Sequence, residues 1–184
     1  MQKENWLPHG YEVPKSAGNY FKFEKGANKF RVMGAPILGF QYWNVQGKPV
    51  RLKEQPTETP TDLRDGDKVK HFWAFPVWNY KVNRIQILEI TQVSIQNQMT
   101  ELVTNDDWGP PQDYDITITK KGEKLDTEYT VTPSPHKDVP QEAKNALRSL
   151  RIDMNALFDG GDPFGGAESE ITREDTAVQL VYVV

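Results

Sequence analysis

The run 69–93, VKHFWAFPVWNYKVNRIQILEITQV, constrains the fold more than any other stretch of the chain. It predicts two strands joined by the basic turn 81–84. The first, 70–80, carries Phe72, Trp73, Phe75, Trp78 and Tyr80; the second, 85–91, is rich in β-branched residues. Successive side chains of a strand point to opposite faces. His71, Trp73, Phe75 and Val77 therefore share one face, and Phe72, Ala74, Trp78 and Tyr80 share the other. Large rings on both faces leave two solutions. Either the sheet is covered on both sides, or one face stays open to receive a flat ligand.

The flanking sequence predicts more strands. Residues 20–24 alternate apolar and polar, 25–28 is a turn and 29–33 resumes the alternation, which predicts a hairpin. That strand is expected to run on past Gly34 and Pro36 into 37–45, with Gly34 and Gly39 placed for a bulge or sharp bend. Gln46-Gly47 is a turn, 48–53 is basic, and 55–67, with Pro56, Pro60 and Gly66, is a loop. Ile95, Met99, Leu102 and Val103 form one apolar stripe of a helix that begins near Thr91 or Ser94 and ends at DDWGPPQ. Two alternating strands, 114–119 and 129–132, flank the basic loop 120–124. Asp138, with Gln141 three residues on, starts a second helix that reaches about residue 150.

This order predicts a mostly β fold: a five-stranded OB-type Greek-key barrel. It would carry an N-terminal hairpin extension, one helix between strands 3 and 4, and a C-terminal helix followed by an acidic tail. The expected organisation is an extended arm over 1–19, an OB-fold nucleic-acid-binding domain over 20–152, and an acidic, Gly-rich tail over 153–184. The tail includes the linker-like DGGDPFGG and an apolar, strand-like end at 177–184.

Absences in the composition narrow the function. The chain has no cysteine, which removes disulfides and thiolate metal sites. No long apolar run is present, so no membrane span is expected, and MQKENWLPHG lacks a signal-peptide core. A cytoplasmic protein is the expectation. The net charge of -4 is unevenly spread: from Asp153 onward seven acids stand against one base, Arg173, so the body before it is mildly basic. His9, His71 and His136 are scattered without metal-ligand spacing, and neither a phosphate loop nor a nucleophile elbow occurs. No enzyme activity, catalytic residue, metal or cofactor is expected. Asp113 and Asp115 share a strand face and with Glu89 offer a minor reading as a metal-dependent nuclease, although two carboxylates so spaced more often line a solvent-exposed edge.

Twelve of the 20 aromatic residues lie within 20–80, interleaved with Lys29, Arg31, Lys48, Arg51, Lys70, Lys81 and Arg84. Rings stack on bases while Lys and Arg follow phosphates, which is what a single-strand binder needs. Large rings are ordinarily core, and Phe23, Phe30 and Phe75 are assigned there. The expected contact set is Arg31, Tyr42, Trp43, Lys48, Arg51, Lys70, Trp73, Trp78, Tyr80, Lys81, Arg84, Lys120 and Lys121.

The segments NYFKFEKGANKFRVMGAPILGFQYWN, GKPVR, KHFWAFPVWNY, IQILEIT, DDWGPPQDYDITITKKG and EYTVTP together resemble the single-stranded DNA-binding proteins of tailed phages. The resemblance implies an OB fold, sequence-independent coating of single-stranded DNA in replication, recombination or repair, and no catalysis. It also implies an acidic C-terminal segment that contacts other replication or recombination proteins. The end VQLVYVV departs from the family's acidic ending and could add a strand to a neighbouring subunit, leaving homo-oligomerisation open. The competing reading is an OB-fold protein-interaction module, a replisome or virion adaptor that binds no nucleic acid.

Overall fold

The computed structural model describes residues 18–165. Its centre is the strand β4 (Lys70–Asn79), which pairs on one edge with β5 (Arg84–Ile90) through the turn that the sequence predicts. On its other edge β4 pairs with two strands in succession. β2 (Ile37–Trp43) takes its first half and β1 (Gly26–Val32) its second half, both antiparallel. The step between them falls at residues 33–36, where Met33 N–H donates to the Pro76 carbonyl at 2.9 Å. β3 (Pro49–Leu52) extends the sheet beyond β2; β6 (Asp115–Lys121) and then β7 (Glu128–Pro133) extend it beyond β1. The path is β3-β2-β4-β1-β6-β7, with β5 attached to β4.

This seven-stranded sheet is open, not the closed five-stranded OB barrel that the order of elements predicts. The physical reason lies at its edges. The outer edge of β5 is occupied by residues 19–21: Phe21 N–H donates to Ile87 O, and Ile87 N–H to Asn19 O, each at 2.8 Å. On the outer edge of β7, Gln98 donates to Tyr129 O and accepts from Val131 N–H. Backbone groups that barrel closure would have joined are already satisfied, and an unmade buried bond would be costly. The expected N-terminal hairpin is likewise absent. Residues 20–24 form no strand, and Tyr20 makes only an isolated parallel bridge to Ile87.

Two helices and a 3-10 helix cover the sheet. α1 (Val93–Thr104) turns Ile95 and Met99 inward onto Phe30, Phe75, Leu88, Ile90, Ile116 and Ile118. α2 (Gln141–Arg148) lies on the opposite face, where Ala143, Ala146 and Leu147 meet Trp78 and Ile85. The 3-10 helix Met154–Asp159 brings Leu157 and Phe158 onto Phe72, Ala74 and Ile87. Both faces of β4 are thus covered along most of its length, which is the first of the two solutions its sequence allows. The apolar end 177–184 and the arm up to residue 17 lie outside the described residues.

Candidate functional site

The predicted contact residues do not gather into one basic, ring-lined groove. Trp78 is 3% exposed beneath α2, and Tyr42 is buried with its hydroxyl donating to Asp62. Burial, then the neighbouring Asp62 carboxylate, raises the Tyr42 phenol. Arg31 is fully buried and Arg51 nearly so; each is spent on an ion pair, with Asp115 and Glu89 respectively. Tyr80 is half-buried and donates to Asp115 Oδ1 at 2.6 Å. Lys81 is exposed but paired with Glu24, and Arg84 Nη2 lies 3.4 Å from Asn19 Oδ1. Lys48, Lys70 and Lys121 are exposed and Lys120 is half-buried; these lysines sit on β3, β4 and β6 or their turns. Trp43 is exposed, with the Arg64 guanidinium 5.8 Å from its ring centre. The buried rings and the spent arginines remove the stacking platform on which single-stranded DNA binding depends.

Nor do the carboxylates form a metal centre. Asp115 is bound by three cations and Glu89 by Arg51, while Asp113 is exposed. Among the described residues no three His, Asp or Glu side chains come together as a set that could hold a metal ion. Also among them, no helix is long and apolar enough to cross a membrane.

Two arrangements stand out instead. The first is a strip of sheet face. Cross-strand partners point to the same side, so the registers Leu52–Phe40–His71 and Leu38–Trp73–Ile90 place these side chains together. Under α1 the same face is core, at Phe75, Leu88 and Ile90. Toward β2 and β3 it runs out from that cover. Leu38 is 53% exposed, His71 is exposed, and Phe40, Leu52 and Trp73 are half-buried. Trp73 Nε1 donates to His71 Nε2 at 3.1 Å, and the His71 ring lies 5.2 Å from that of Phe40. These five side chains, three aromatic and two aliphatic, carry no carboxylate, ammonium or guanidinium. The alternation in ILGFQYW puts Leu38 and Phe40 on one side, but only the reach of α1 leaves that side open.

The second is a buried charge cluster. Arg31 and Asp115 are both fully buried and joined by Arg31 Nε to Asp115 Oδ1 at 2.8 Å. Lys29 Nζ and Lys137 Nζ reach Asp115 Oδ2 at 3.2 and 2.8 Å. Burial by itself would raise the Asp115 carboxyl. Hydrogen bonds from Lys137, Tyr80 and Lys29, with the Arg31 charge, outweigh it and hold the group at about 2. Tyr80 moves up, through burial first and then its bond to the Asp115 carboxylate. Arg31 and Lys29 are visible in the sequence as basic residues on an alternating strand; Lys137 lies in a loop with no periodic signal.

Compared with known proteins, the chain matches no family model, no curated protein and no solved structure. The resemblance to tailed-phage single-stranded DNA-binding proteins thus has no support from those comparisons, and the open sheet with buried rings contradicts the fold and binding mode it implies.

Proposed function

We propose that this chain is a non-catalytic binding protein and that it meets a protein partner through the strip formed by Leu38, Phe40, Leu52, His71 and Trp73. The observation that carries the reading is the exposure of Leu38, the second residue of β2, beside the half-buried rings of Phe40 and of Trp73, the cross-strand partner of Leu38. A contiguous exposed apolar patch on an otherwise well-packed domain marks an interaction surface. Its lack of charge selects the partner. A polyanion would find no cation on these side chains, whereas an apolar protein surface would lose water on both sides and leave no charge unpaired. With its Nε2 accepting from Trp73, His71 keeps Nδ1 as a polar group for a partner, which suits interface chemistry.

A non-catalytic role is supported by how the titratable groups are used. The carboxyl held at about 2 is committed to three cations, so it is a poor proton acceptor near neutral pH. A photo-crosslinking residue at position 38, compared with one at the exposed Thr130 of β7, tests the reading in extracts of the source organism. The expected result is one discrete protein adduct from position 38 alone. Binding of the purified, identified partner should then be lost in Leu38→Asp with the fold retained. Equal adducts from both positions, or full binding by Leu38→Asp, would overturn it.

A further inference from the structure

We propose that the cluster of Lys29, Lys137 and Arg31 around Asp115 is a binding site for a small dianionic oxyanion of the phosphate class. Three cations share one carboxylate, so two positive charges at a partly dehydrated position are left unbalanced. Among the described residues Asp115 is the only carboxylate paired with either lysine. Asp138 and Asp113 are near in the chain, and Asp113 O accepts from Lys137 N–H, but neither carboxylate pairs with an ammonium. Like charges held together need a reason, since their repulsion in low dielectric is substantial.

The geometry points outward. Both ammonium groups contact the same oxygen, so they stand close enough for one tetrahedral oxyanion to accept from both. The Tyr80 ring lies 5.0 Å from Lys29 Nζ and 5.7 Å from Lys137 Nζ, and its hydroxyl bond to Asp115 fixes it there. The ring thus backs both amines. Each ammonium has three donors, and the lysine side chains are 43% and 49% exposed, which leaves a solvent-side approach. Arg31, fully buried behind them, adds positive charge to the cluster but no donor on the solvent side. A dianion matches the excess charge; a carboxylate would offset only half of it.

Titration calorimetry of the full chain with inorganic phosphate near pH 8, at fixed ionic strength set with chloride, tests this. Saturable binding at one site is expected, with methyl phosphate binding comparably and acetate more weakly. Failure of methyl phosphate alone would restrict the site to free phosphate. Lys29→Met combined with Lys137→Met leaves the Arg31–Asp115 pair balanced. It should weaken phosphate binding about tenfold or more; because Asp115 Oδ2 loses both its cations, the variant is also expected to melt lower in phosphate-free buffer, so binding is compared only where it is folded. If that double variant fails to fold, Lys137→Gln alone should lower affinity in the same sense. No saturable heat, or wild-type affinity in a folded lysine variant, would overturn the proposal.

Discussion

The side chain of Gln98 on α1 stands against Val131 as the backbone of another strand would: its Oε1 accepts the Val131 N–H at 2.9 Å, and its Nε2 donates to Tyr129 O at 2.9 Å. Residues 129 and 131 present their outward backbone groups to the same edge, so one primary amide, with donor and acceptor side by side, satisfies both. The helix thereby ends the sheet at β7 and covers its inner face at once. Exposed edges invite pairing with other chains, and this edge is partly blunted.

Gln98→Ala should therefore cost about 1–2 kcal/mol in urea unfolding, through two lost bonds at a half-buried edge. The Val131 amide should exchange faster with solvent while the amides of β4 keep their protection. Gln98→Glu retains the acceptor and loses the donor to Tyr129 O, so an intermediate loss is expected. Equal exchange at Val131 in all three proteins would refute the role of this contact.

Stability should fall at acid pH through Asp115. Its folded value of about 2 lies below the ordinary 3.8, so its contribution is fully present above about pH 4 and disappears as pH drops through 2. The shift corresponds to about 2 kcal/mol. In Asp115→Asn the folded state loses this acid-sensitive component and leaves Arg31 buried without its counter-charge, at about 3–5 kcal/mol. Denaturation midpoints measured from pH 7 to pH 2 check both: the wild type should lose stability over the last two pH units, and the variant should begin lower and change less there.

Gly39→Ala should be destabilising by about 1–3 kcal/mol. A Cβ at this position would lie 2.4 Å from the Leu52 carbonyl oxygen and 2.9 Å from both Phe72 and Phe158 rings. The rings have some freedom, but the carbonyl belongs to the paired strand β3, so β3 must move. Gly47→Ala, with open space around it but a φ of +74°, is the contrast: its cost comes from backbone conformation and should leave β3 in place. Amide shifts of residues 49–52 distinguish the two.

What could be read from the chain alone was local. The alternation of 70–80 and 85–91 yields β4 and β5 as strands, and the apolar stripe through Ile95 and Met99 yields α1 with its inner face correctly turned. Rings on both sides of β4 showed that both faces needed an account. These properties follow from backbone geometry, whose periods of about 2 and 3.6 are written directly into residue spacing. The linker-like DGGDPFGG shows where this fails, since Pro163 and Phe164 in its midst are drawn into the body of the protein.

Tertiary structure alone decided whether Trp78 was a platform or core, because that depended on α2 landing over it from more than sixty residues away. It also decided that Arg31 would be spent on Asp115, and that the sheet would stay open. Edge satisfaction is non-local: Gln98 and residues 19–21 took the positions that barrel closure required, and nothing in the spacing of either segment announces which distant backbone it will bond.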